Sequence, residues 1–184
     1  MIGIWIVIAV VVVLALGLVG VYNGLVRRRI RTQEAWAQID VQLKRRYDLI
    51  PNLVETVKGY AAHERGTLDA VIQARSQAMS AQGVAQQAQA ENVLTGALRQ
   101  LFALSEAYPN LKANENFAQL QEELSSTENR IAFSRQHYNA SAAEYNTACE
   151  SFPSNTIAGM FGFKKVEYFE LEEPQARQAP QVKF

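Results

Sequence analysis

The sequence predicts an all-α protein: an N-terminal transmembrane helix, then an antiparallel bundle of three to four long helices, then a short aromatic C-terminal tail. Three observations carry this. Ile2 to Tyr22 hold no charged side chain, and at ~1.5 Å per residue that run spans roughly 30 Å as a helix, the depth of a bilayer's hydrocarbon core. Between Thr32 and Ser151 the composition is rich in Ala, Gln, Glu, Leu and Arg, with Gly and Pro confined to a few places. Apolar residues there recur at steps of three, four and seven, as on a helix with one buried face. The division expected is an anchor at 1–26, a helical bundle at 27–152, and an aromatic, Gly-containing segment with a polar end at 153–184.

The apolar run is expected to stay in the membrane. A cleaved signal has its basic residues in front and a shorter core of ~7 to 15 residues, whereas here Arg27, Arg28, Arg29 and Arg31 lie behind the run. Ala15 and Gly17 could mimic a cleavage site, which is the secretory alternative. Basic residues on one flank alone place that flank in the cytoplasm, so the N-terminus is expected outside and the bundle inside. The same arginines can meet anionic headgroups. Only Asn23 to Arg31 separates span from bundle, and a flexible linker would carry more small or polar residues. Anchor and first bundle helix are therefore expected to be nearly continuous.

In the first bundle segment Trp36, Ile39, Leu43, Tyr47, Ile50, Val54, Val57 and Ala61 make one apolar stripe. Pro51 interrupts it, removing one backbone hydrogen bond, which predicts a kink and not an end. Gly59 and Gly66 bracket a turn near Ala62 to Arg65. A second segment begins at Leu68 and Val71, weakens from Ser80 through Gly83 to Ala90, and recovers at Leu94, Leu98 and Leu101. The weak middle is a break, a bend or an exposed stretch of helix. Tyr108-Pro109-Asn110 ends it. In the third segment, about Asn114 to Phe152, Phe117, Leu124, Ile131, Tyr138, Tyr145 and Phe152 lie seven residues apart, interleaved with Leu120, Thr127, Ser134, Ser141 and Ala148. Large residues at one seam position and small ones at the other let helices approach closely, as in a coiled coil.

Composition narrows the chemistry. A formal net charge of zero argues against a nucleic acid partner. The single cysteine, Cys149, excludes an intrachain disulfide and a cysteine metal cluster, and His63-Glu64 lacks the second histidine of a zinc-binding helix. No glycine-rich phosphate loop or recognisable nucleophile motif is present, so no cofactor is expected. The densest polar cluster is Asp40, Lys44, Arg45, Arg46 and Asp48, with His63 and Glu64 further on. Two carboxylates and a histidine can do acid/base work if held together. Asp40 and Asp48, however, stand ~12 Å apart along one helix, and interhelical ion pairing is the plainer use of these groups.

The run Ala35-Trp36-Ala37-Gln38-Ile39-Asp40 through Arg45-Arg46-Tyr47-Asp48-Leu49-Ile50-Pro51-Asn52-Leu53-Val54, closed by Val57-Lys58-Gly59-Tyr60, strongly resembles the signature of the bacterial LemA family. Tyr22-Asn23, His63-Glu64, Ala74-Arg75, Arg130-Ile131-Ala132, Tyr138-Asn139, Tyr145-Asn146 and Phe152-Pro153-Ser154-Asn155 through Phe161-Gly162-Phe163 are similar to that family as well. The resemblance implies an anchored helical bundle in the bacterial plasma membrane, no established catalytic activity, and membrane proteins such as a membrane metalloprotease among the partners.

The tail is the better place to look for binding. Phe152, Phe161, Phe163, Tyr168 and Phe169 crowd a short stretch and need a cover: the bundle's own tip, a second subunit, a partner protein or the bilayer. Ser154 could cap a short helix closed by Gly162. If each segment runs unbroken, the tail ends far from the membrane; if the second folds back at Gly83, it returns. The leading expectation is a non-enzymatic membrane scaffold, held in the bilayer by residues 2–22, that forms homo-oligomers and engages membrane proteins in quality control or envelope stress. Its expected structural and partner positions are Trp36, Asp40, Arg45, Arg46, Asp48, Pro51 and the aromatic tail. The alternatives are an enzyme built on Asp40, Asp48, His63 and Glu64, or a sensor of membrane stress.

Overall fold

The computed structural model describes residues 2–170, and among these the chain is helical with no strand. Six helices follow in order: α1 (Ile2–Lys58), α2 (Arg65–Ser80), α3 (Val84–Ser105), α4 (Pro109–Lys112), α5 (Glu115–Glu150) and α6 (Ser154–Phe161). The described chain forms two compact units. One gathers residues 2–41 with Ala132–Tyr168, and the other holds Gln42–Ile131 with buried Phe169. Leu171 and the polar end lie outside the described residues.

The expected continuity of anchor and first bundle helix is observed, since α1 runs without interruption from the apolar run into the bundle. Its apolar stretch is exposed and long enough to cross a bilayer. α1 also passes through Pro51 without ending. Proline has no N–H to give the carbonyl four residues back, so the Tyr47 carbonyl loses its helical donor. Arg75 on α2 replaces it, its Nε donating to Tyr47 O at 2.8 Å. This is why a proline is tolerated there.

α1 turns back into α2 over residues 59–64, where Ala61 N–H bonds the Val57 carbonyl at 2.8 Å. The weak stretch of the second segment is a break: α2 stops at Ser80 and α3 starts at Val84. Gly83 sits between them at φ +81, ψ 167, a region open essentially to glycine alone. The two short helices thus form a hairpin in place of one long helix. At Tyr108-Pro109 the chain turns again, and Pro109 opens α4, where its missing N–H costs nothing.

α5 buries the expected seam. Phe117, Leu124, Ile131, Tyr138 and Tyr145 are all buried, as are Thr127, Ser134 and Ser141 between them. In the unit containing the anchor, α1 and α5 run antiparallel: Trp36 meets Tyr138 edge-on at 5.3 Å between centroids, and Thr32 reaches the Ser141 carbonyl at 3.2 Å. Small Thr and Ser side chains permit that close backbone approach. Phe152 departs from the seam. α5 ends at Glu150, the helical period stops with it, and Phe152 is 86% exposed.

Candidate functional site: a buried ion network and the junction of anchor and tail

Within the unit built on Gln42–Ile131, Arg46 alone of the polar residues singled out in the sequence enters a buried network, and its ion-pair partners come from other helices. Arg46 lies on the stripe side of α1 and is only 1% exposed. Its guanidinium pairs with Glu91 of α3 at 2.7 Å and Glu128 of α5 at 2.6 Å, and donates to Thr95 Oγ1 at 2.9 Å. The Tyr47 hydroxyl donates to the other Glu91 oxygen, and Gln87 Nε2 lies 2.8 Å from the Tyr47 hydroxyl and 3.1 Å from the Ala78 carbonyl. Each group is held by another, as buried charges require. Among the described residues, buried Arg46 Nε and Gln42 Oε1, one helical turn apart, have no hydrogen-bond partner.

The electrostatics follow from burial. Desolvation raises the Glu128 pKa, and repulsion from Glu91 adds to it, while Arg46 opposes. Tyr47 is pushed well above the usual phenol range, first by burial and then by Glu91, and remains a neutral donor.

The other polar residues of this unit that the sequence singled out take no part in the Arg46 network. Asp40, Arg45 and Asp48 are exposed on α1, His63 is exposed in the turn, and Glu64 accepts a 3.0 Å bond from the Tyr108 hydroxyl. Among the described residues Asp48, His63 and Glu64 share no hydrogen bond with one another, and Asp40 belongs to the other unit. Pro51 is exposed, its role taken up by Arg75. Glu91, Glu128, Gln87 and Arg75 were missed in the sequence. Only the carbonyl orphaned by Pro51 announced that some donor was needed.

The anchor's own unit holds the second region. α6 packs beside the end of the apolar run: Leu25, Ile157 and Ala158 form a buried cluster with Val21, Ala148, Cys149 and Phe163. Of the two courses the sequence left open, the one with a break at Gly83 is observed. The break at Gly83 replaces one long segment with two short ones, and the tail lies against α1 at Tyr22, whose ring meets Phe161 at 4.9 Å and Phe163 at 5.6 Å. Ser154 is not the N-cap: Pro153 occupies that place, and the Ser154 hydroxyl ties α6 to α5 by donating to the Ala148 carbonyl at 2.6 Å. Gly162 closes α6 as anticipated, at φ 70, ψ 27, with Phe163 N–H bonding the Ala158 carbonyl at 2.9 Å.

Beyond α6 an extended strip is clasped onto α5. The Asn146 side chain both donates to the Val166 carbonyl and accepts from its N–H, each at 2.9 Å, and the Tyr138 hydroxyl donates to the Glu167 carbonyl at 2.8 Å. Two clefts open along this junction. An apolar one of about 490 Å³ is lined by Leu18, Val19, Tyr22, Phe152, Met160 and Phe161. A second of about 390 Å³ is lined by Arg29, Trp36, Tyr138, Tyr145, Phe163 and Lys164. Arg29 lies over the Phe163 ring at 5.1 Å. Burial pushes the Tyr138 and Tyr145 phenols up to about 12, so both stay neutral in ordinary conditions. Tyr168 is exposed, whereas Phe169 is fully buried in the other unit.

An exposed apolar helix leading into packed helices defines the class: a membrane-anchored helical protein. Residues 35–184 match the LemA family, and the chain belongs to that family. It is 29% identical over 174 residues to the magnetosome protein MamQ of Magnetospirillum gryphiswaldense, covering 80% of this chain and 64% of that one. The MamQ 1 protein of Paramagnetospirillum magneticum is 28% identical over 83% of this chain and 65% of its own. This chain thus spans just under two thirds of those magnetosome proteins. Protein LemA of Metamycoplasma hominis is 29% identical over 160 residues, 84% of this chain and 71% of that protein.

Proposed function

We propose that this protein is a non-enzymatic scaffold of the bacterial plasma membrane, with its N-terminus outside and its helices in the cytoplasm, that self-associates and engages other membrane proteins. Membrane-protein quality control is the setting that suits such a role, with a membrane metalloprotease as one kind of partner. The observation that carries the reading is the distribution of side chains on the helices. Large apolar residues face outward beyond the apolar run, Phe133 of α5 at 74% exposure and Ile72 and Met79 one heptad apart on α2, while the strongest cluster of reactive groups is engaged with itself, Arg46 and Glu91 buried and the half-buried Glu128 paired with Arg46. A scaffold needs outward apolar surface to bind partners; an acid/base catalyst needs its titratable groups facing a substrate.

Mass measurement and crosslinking of the full-length protein in a mild detergent test this. The expected result is a defined oligomer whose crosslinks are reduced several-fold by Phe133→Ser. A strictly monomeric particle with no copurifying membrane protein would overturn it.

A further inference from the structure

We propose that the junction of α1, α6 and the strip that follows is a binding site for one anionic phospholipid, an acyl chain lying in the apolar cleft and the phosphate meeting Arg29 and Lys164. This rests on the reading of Ile2 to Tyr22 as membrane-spanning. The position of the cleft follows from that reading. Leu18, Val19 and Tyr22 belong to the last turns of the apolar run, which at ~1.5 Å per residue puts the cleft at the boundary of hydrocarbon and headgroups.

The cleft's other wall is unsuited to water. Met160 is 73% and Phe161 61% exposed, and with Ile157 beneath them they line the cleft opposite Leu18 and Val19. A short helix with apolar residues outward at this depth matches the way interfacial helices bury one face among acyl chains. The apolar surface is thus continuous with the surface α1 presents to lipid.

The charge lies where a phosphate would be. Arg29 is seven residues beyond Tyr22, ~10 Å further along the same helix, and Lys164 follows the Gly162 turn beside it. Among the described residues Arg31 is paired with Glu144 and Lys165 with Glu150, while no carboxylate lies within ion-pair distance of Arg29 or Lys164. The Tyr22, Phe161 and Phe163 rings link the two clefts, and Phe163 carries Arg29 on its face. An apolar slot leading to two basic groups at headgroup depth is complementary to an anionic phospholipid, and a free phosphate would leave the slot unused.

The test uses the full-length protein in phosphatidylcholine vesicles doped with a phosphatidylglycerol or a phosphatidylcholine carrying a photoreactive acyl chain, with labelled residues mapped by mass spectrometry. The expected result is labelling of 152–161 as well as 2–22, stronger with the phosphatidylglycerol probe. Met160→Gln, at an exposed position, lowers the label on 152–161 several-fold and spares 2–22. The double variant R29Q/K164Q lowers the phosphatidylglycerol label on 152–161 by about tenfold and leaves the phosphatidylcholine label unchanged. Label confined to 2–22 overturns the site while the anchor stands; label in neither segment overturns the membrane-spanning reading and the site with it. Equal labelling by both lipids, insensitive to R29Q/K164Q, overturns the phosphate contact. Crosslinking of two chains through a photoreactive group at position 160, in place of lipid labelling, would assign the cleft to a second copy.

Discussion

The residue with the clearest physical consequence is Pro51. It costs α1 a backbone hydrogen bond, and the cost is met from another helix, where Arg75 donates to the freed Tyr47 carbonyl. Arg75→Met is therefore expected to destabilise the protein by about 1–3 kcal/mol, because a partly buried carbonyl is left without a donor. In the Pro51→Ala background, where residue 51 can supply its own N–H, the same substitution is expected to cost much less. Thermal unfolding of the four proteins in one detergent measures the coupling, and equal costs in both backgrounds would refute it. Glu128 supplies a pH prediction. Its pKa is raised in the folded state, chiefly by burial, so its contribution to stability is fully present below the unfolded-state carboxylate pKa and is lost as pH rises through the folded one. The stability of Glu128→Gln relative to the unsubstituted protein is expected to increase with pH across that window, read from denaturation midpoints. A gap that moves the other way would mean the Arg46 pair outweighs desolvation.

At the scale of elements, the turn at Gly83 determines the course of the chain. Its φ of +81 with ψ of 167 admits no side chain without strain, although a Cβ there would meet nothing within 4 Å. Gly83→Ala is thus a clean probe of backbone strain, expected to cost about 1–3 kcal/mol in chemical denaturation with no change in helix content by circular dichroism. A neutral result would show that the α2–α3 connection has another accessible conformation. The apolar and aromatic periods of α1 and α5 were legible, because a helix with one buried face repeats every three to four residues. The α2–α3 break was visible only as a weakening of pattern. Polar Gln87 and Glu91 occupy inward positions there and blur the period while making the most demanding contacts in their unit.

At the scale of the whole molecule, the apolar run and the first bundle segment are one uninterrupted helix, with no linker between them. Arg27, Arg28, Arg29 and Arg31 are exposed after that run, and the positive-inside rule predicts which side they occupy. In intact cells expressing Cys149→Ala protein, an impermeant maleimide is expected to modify Gly3→Cys and to spare Ser151→Cys. The opposite pattern would invert the topology.

Taken alone, the sequence determined that the protein is helical, that its first residues suit a bilayer, which faces of α1 and α5 are buried, and the family to which it belongs. These are properties of local periodicity and composition, which neighbouring residues encode without reference to distant ones. Only the tertiary structure decided that Arg46 is a core residue bridging Glu91 and Glu128, that Arg75 completes the backbone at Pro51, and that the aromatic tail lies against Tyr22. Each of those joins residues 20 or more positions apart, and no period in a single helix records which partner a turned chain brings to its side.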